Sequence, residues 1–138
     1  MSLEVEYRRG RHVVSAMHVH LVFVTRYRTN VFNDAMLHRC EDIMIEVCDS
    51  FEAELREFIG EHDHVHLLVH YPPKVAISKL VNSLKGVSSH YLRKEFSGHL
   101  NRAIMHDRFW SPSYLAASCG EAPPSIIKAY VEQQRRPT

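Results

Sequence analysis

The sequence predicts an α+β domain: an antiparallel sheet of ferredoxin-like (RRM-like) topology, with helices on one face and a further helix appended at the C-terminus. Three observations predict it. Short apolar or alternating stretches read as four strands, apolar positions at three- and four-residue spacing read as three helices, and the order is β-α-β-β-α-β-α. With 138 residues, 45% of them apolar, the chain is long enough for one domain with one core. Residues 1–138 are therefore read as a single unit, with a sheet core over 1–119 and the closing helix over 124–136.

The first strand is the valine-rich run His12 to Thr25, with Val19, Leu21 and Phe23 on one side and His18, His20, Val22 and Val24 on the other. Asn33 is a suitable N-cap for an amphipathic helix whose stripe is Leu37, Cys40, Met44, Val47, Cys48 and Phe51. A strand around Ala53 to Ile59 leads through Gly60 into His64 to His70, the two forming a hairpin. After Pro72 and Pro73, the positions Ile77, Leu80, Val81, Leu84, Val87, Tyr91 and Leu92 mark a long helix with Asn82, Lys85, Ser89 and Arg93 on its polar face. An irregular segment holding Arg108, Phe109 and Trp110 then runs into a fourth strand, Ser113 to Ser118. Gly120 to Pro123 reads as a linker, and Pro124 opens the last helix, since proline is tolerated in a first turn.

The net charge is only +1, yet it is segregated. Residues 1–30 carry five Arg against two Glu, residues 31–66 two Arg against ten acids, and residues 67–138 ten Lys or Arg against four acids. Such a distribution permits a basic face on a nearly neutral molecule, as a phosphate-binding surface requires, and equally permits a solvated acidic helix. Three cysteines, Cys40, Cys48 and Cys119, lack C-x-x-C spacing and read as core thiols. No apolar run is long enough to span a membrane and the N-terminal stretch lacks the features of a signal peptide, so a cytoplasmic location is expected.

His64 and His66 stand at i and i+2 on a strand, so both project from one face while Val65, Leu67 and Val69 enter the core. Two adjacent imidazoles suit a metal ion. They also suit plain hydrogen bonding, because eleven histidines in this length produce such pairs by chance; His18 and His20 form another, and His62 extends the first. On the last helix, Tyr130 and Gln134 stand at i and i+4 and share a face.

Taken together, several segments resemble the single-tyrosine HUH transposases, the TnpA-type enzymes of small bacterial and archaeal insertion sequences. They are the strand His20 to Arg28, the core Asp63 to Leu68, Leu84-Lys85-Gly86, Phe109 to Tyr114, and Tyr130 to Gln134. One position departs from the family pattern: His62 stands where Pro is common, just before Asp63. The resemblance implies His64, His66 and Gln134 as ligands of a divalent ion, Mg²⁺ or Mn²⁺, and Tyr130 as the nucleophile. It implies cleavage and rejoining of single-stranded DNA with hairpin ends through a 5′-phosphotyrosine. It also implies a homodimer in which the tyrosine helix serves the other subunit. Arg26, Tyr27, Arg28, Lys85, Arg93, Arg108 and Trp110 are the candidates for DNA contact, as basic and stacking side chains grip unpaired strands. Two other readings compete with strand transfer: a catalytically silent nucleic-acid-binding module, and a metal-dependent phosphodiesterase with a structural Tyr130.

Overall fold

The computed structural model describes residues 8–9, 14–15, 17–104, 107–117 and 124–134. The elements are β1 (Arg8–Arg9), β2 (Val14–Ser15), β3 (His18–Val24), α1 (Asp34–Ser50), β4 (Glu54–Gly60), β5 (His64–His70), α2 (Ile77–Glu95), α3 (Ser97–Ala103), β6 (Leu115–Ala117) and α4 (Pro124–Gln133). Strands β1 and β2 form a separate two-stranded ribbon, while the main sheet has the order β4-β5-β3-β6 with all its pairs antiparallel. This is the expected ferredoxin-like arrangement, in which the first and third strands of the βαββαβ unit lie at the centre. His12, Val13, Ala16, Ser118, Cys119, the linker Gly120 to Pro123 and residues 135–136 lie outside the described residues.

Alternation along the central strands creates two unlike faces. Val19, Leu21 and Phe23 of β3 and Val65, Leu67 and Val69 of β5 are buried in one core with the apolar stripes of α1 and α2. The opposite face carries His20, Val22 and Val24 from β3 and His64 and His66 from β5, and it is covered by α4. There Val131 packs on Val22 and Val24, with Leu115, Ile127 and Tyr130 at the margin. The two faces differ greatly in apolar content, so the sheet and its two helices hold the fold while α4 rests on a small patch.

Helix α1 starts where expected: the Asn33 side chain accepts a hydrogen bond from the Met36 amide at 2.9 Å, and Asp34 in the first turn suits the helix dipole. Its buried stripe is wider than the predicted one and also includes Met36 and Ile43. At the end of β4, a Cβ on Gly60 would come within 2.4 Å of Leu37 Cδ2, so a glycine lets α1 lie against the hairpin. Helix α2 buries Leu80, Val81, Leu84 and Leu92 as its spacing predicts, but Tyr91 is exposed. Helix α3 and β1 are additions to the predicted elements, and the single strand expected over His12 to Thr25 is divided, with Val14–Ser15 pairing with β1 and His18–Val24 joining the main sheet. Trp110, one of the candidate DNA contacts, is mostly buried, its indole N–H donating to Ser88 Oγ at 3.0 Å, and it lines the groove along α2 beside Lys85, Arg93 and Arg108. Both described cysteines are buried free thiols, as expected, and burial pushes Cys48 up to about 12.

Candidate active site

The register of β3 and β5 sets the histidines in order. Val24 lies opposite His64, Val22 opposite His66 and His20 opposite Leu68, so His20 is diagonal to His66 on the face under α4. The Nδ1 of His20 is 3.0 Å from Nε2 of His66, and the two ring centroids are 5.2 Å apart. Burial lowers the pKa of His66, and His20 beside it acts in the same direction.

His64 is held from the other side. Its Nδ1 is 2.8 Å from Asp63 Oδ1, while the second oxygen of Asp63 accepts from Arg28 Nε at 3.0 Å. The carboxyl is anchored through its own backbone too, since Asp63 O accepts from the amide of Thr25 at 2.9 Å and from its hydroxyl at 3.1 Å. Burial alone would raise the pKa of Asp63, but the hydrogen bonds and charges of His64 and Arg28 outweigh it and the net shift is downward. Arg28 reaches this position from a turn in which Tyr27 and Arg28 both take φ of 58°, a left-handed conformation that costs non-glycine residues about 1–3 kcal/mol each. The strain is concentrated where the chain delivers a cation to Asp63.

These groups open onto a cleft of about 870 Å³ between sheet and α4. His20, Arg28, His64 and His66 line it from the sheet side, and Lys128 and Glu132 from the helix. Glu61 lines it as well.

Tyr130 and Gln134 lie on a different flank of α4. The Tyr130 hydroxyl is 2.7 Å from Ser113 Oγ, and Gln134 Oε1 accepts from Ser111 Oγ at 2.6 Å. Burial raises the pKa of Tyr130, against the lowering effect of Ser113. The two serines are fixed by the segment before β6: the Ser111 amide bonds Val24 O at 2.7 Å, and Lys85 Nζ donates to Ser111 O at 2.7 Å. The arrangement thus brings His64 and His66 together and leaves Tyr130 and Gln134 paired with serines. Among the described residues no three His, Cys, Asp or Glu side chains converge as a metal-binding group.

Residues 13–134 match the family described as IS200-like transposases. The chain belongs to that family. It is 29% identical over 134 residues to the ISDra2 transposase TnpA of Deinococcus radiodurans, covering 96% of this chain and 94% of that protein. It is also 29% identical over 115 residues to the transposase for insertion sequence element IS200 of Salmonella typhimurium, covering 83% and 74% respectively. A crystal structure of a candidate transposase from Deinococcus radiodurans superposes with a TM-score of 0.84 at 30% identity, over 93% of this chain and 98% of that one. A REP-associated tyrosine transposase bound to a REP hairpin shares the fold, with a TM-score of 0.58 at 16% identity over 96% of this chain and 69% of that one. As a transposase, the protein cleaves and transfers DNA.

The other candidate DNA contacts of this transposase fall in two places. Lys85, Arg93 and Arg108 line a groove of about 470 Å³ along α2, where burial and the nearby Arg108 lower the pKa of Lys85. Arg26 and Tyr27 form a unit on the turn after β3, the guanidinium 4.6 Å above the ring and 3.6 Å from Asp107. Arg93 bonds the Asp107 carbonyl oxygen, which ties the groove to that turn. Among the described residues no helix is long and apolar enough to cross a membrane. Sequence reasoning assigns no role to Asp63, Ser111 or Ser113, and places His20 in a separate pair. The alternating face of β3 is the available signal for His20; its proximity to His66 depends on strand register, which one sequence does not reveal.

Proposed function

We propose that this transposase cleaves and rejoins single-stranded DNA with hairpin ends, with Tyr130 as the nucleophile and a divalent ion held by His64, His66 and Gln134. The observation that carries the reading is that His64 and His66 stand side by side on the sheet face against which the helix bearing Tyr130 and Gln134 docks. The residues fit an ion. Asp63 engages Nδ1 of His64, which leaves Nε2 for coordination, the usual way an outer carboxylate orients a ligating imidazole. Two imidazoles and an amide oxygen form a neutral set that suits Mn²⁺, with Mg²⁺ a weaker fit because it prefers oxygen ligands. Bound there, the ion supplies Lewis-acid polarisation of the scissile phosphate.

Tyr130 is a phenol at neutral pH, and its burial keeps it so, so its proton must leave as the oxygen attacks. Glu61 and Glu132 line the cleft and are the bases at hand. The oxygen of Tyr130 forms a bond to phosphorus, the bond to the 3′ oxygen breaks, and that oxygen leaves as a protonated hydroxyl. One phosphodiester replaces another, so a DNA 3′-hydroxyl can reverse the step without ATP. The basic groove of Lys85, Arg93 and Arg108 suits the phosphates of the bound strand.

The serine pairs of Tyr130 and Gln134 mean that α4 must turn relative to its sheet, or a second copy must supply the helix, before all four residues meet. We take the latter arrangement, a homodimer acting in trans across the linker at Gly120 to Pro123. The test is a denaturing gel of protein incubated with a hairpin-ended single-stranded oligonucleotide and Mn²⁺. A slow-migrating covalent adduct supports strand transfer. Cut DNA without an adduct, or no reaction, contradicts it.

A further inference from the structure

We infer that His20 is a positioning residue for this site: it holds His66 through Nε2, so that the Nδ1 of His66 is the nitrogen left for the ion. The inference rests on the proposed metal role of His64 and His66. Its first support is register. Along the covered face the side chains run in the order His64, His66 and then the level of Leu68, where His20 stands. His20 therefore meets His66 from the side away from His64.

The second support is the contact itself. His20 is 6% exposed, lines the same cleft, and places Nδ1 3.0 Å from His66 Nε2. The two nitrogens of an imidazole point out of the ring in divergent directions. A His66 ring that turns Nε2 to His20 therefore directs Nδ1 away from His20. With the shared proton on His66 Nε2 and His20 Nδ1 accepting it, Nδ1 of His66 keeps its lone pair for a metal. Asp63 does the same for His64 with the nitrogens exchanged, engaging Nδ1 at 2.8 Å and leaving Nε2. Each proposed imidazole ligand then has one outer partner that fixes its tautomer and ring orientation, and loss of such a partner typically costs about 10- to 100-fold in metal affinity. Cross-strand packing alone would not require a nitrogen of His20 to face a nitrogen of His66.

The experiment is titration of the full chain with Mn²⁺ by calorimetry, comparing the wild type with His20→Leu, His20→Asn and His64→Ala, with thermal melting of each. Nitrogen-15 NMR of the metal-free wild type reads the His66 tautomer. His20→Leu should weaken Mn²⁺ binding by about 10- to 100-fold. His20→Asn, whose amide oxygen can stand near the place of Nδ1, should restore most of it, and His66 should be protonated on Nε2. Unchanged affinity in His20→Leu while His64→Ala loses it would overturn the role of His20 and leave the metal reading standing. A His66 protonated on Nδ1 would overturn it even if His20→Leu failed to fold. Absence of Mn²⁺ binding by the wild type would overturn the metal reading, and this inference with it.

Discussion

Replacing Asp63 by Asn removes one charge, keeps the shape and leaves two hydrogen-bond donors competing for one acceptor. The carboxylate serves His64 Nδ1 at 2.8 Å and Arg28 Nε at 3.0 Å. Asparagine has one acceptor and one donor to offer these two places. With its oxygen toward Arg28, its NH₂ faces His64 Nδ1, which must then accept. The imidazole proton moves to Nε2, the nitrogen proposed for the ion. With its oxygen toward His64, two donors oppose each other at Arg28. Either outcome loosens the support of the imidazole, and such losses cost about 10- to 100-fold in metal affinity. In free energy that is about 1.4–2.7 kcal/mol. The fold should survive, because the Asp63 carbonyl oxygen still accepts from the Thr25 amide and hydroxyl. Calorimetric titration with Mn²⁺ beside a thermal melt measures both quantities. A folded Asp63→Asn protein with affinity within about twofold of wild type would refute the role assigned to Asp63.

Three other outcomes are expected. Asp63 has a lowered folded-state pKa, so its ionised form stabilises the fold. That contribution is complete above the unfolded value near 3.9 and is lost as pH falls through the lower folded value. Urea unfolding between about pH 5 and 3 should therefore show a steeper loss of stability in wild type than in Asp63→Asn; equal slopes would argue against the linkage. Val131→Ala removes two buried carbons from the patch under α4, which corresponds to roughly 1.6 kcal/mol, so hydrogen exchange of α4 amides should quicken by about tenfold or more while β3 and β5 keep their protection. Finally, mixing inactive His64→Ala with inactive Tyr130→Phe should restore partial adduct formation once subunits exchange. Continued inactivity after demonstrated exchange would leave each site within one chain.

The fold is legible in the sequence where local chemistry decides it. Asn33 caps α1 as expected, Pro124 opens α4, and the alternation of β3 and β5 sorts core residues from the covered face. The sheet order follows from the succession of elements, because few topologies satisfy a βαββαβ string. What escapes the sequence is tertiary. Trp110 follows Arg108 closely in the sequence, yet the structure turns its indole N–H inward onto Ser88. Helix α3 is only 7 residues long and its periodicity is too short to stand out. Within the candidate site, the His64–His66 pair is legible from strand period. The His20 contact depends on register, and the serine pairs of Tyr130 and Gln134 depend on how α4 is rotated, a matter settled by where Val131 finds its apolar seat.

Central to the proposed chemistry is a covalent bond between Tyr130 and a 5′ phosphate of single-stranded DNA. Tyr130→Phe removes only the hydroxyl and leaves the ring to pack at the margin of the Val22, Val24 and Val131 patch, so it isolates the chemistry from the fold. The measurement is peptide mass spectrometry of the adduct formed with oligonucleotide and Mn²⁺, after nuclease trimming of the DNA. A nucleotide mass on the peptide containing Tyr130, absent from Tyr130→Phe although that protein still binds the DNA, is the predicted result. The same mass on a peptide carrying Tyr91 or Tyr114, or an adduct of full yield in Tyr130→Phe, would contradict it.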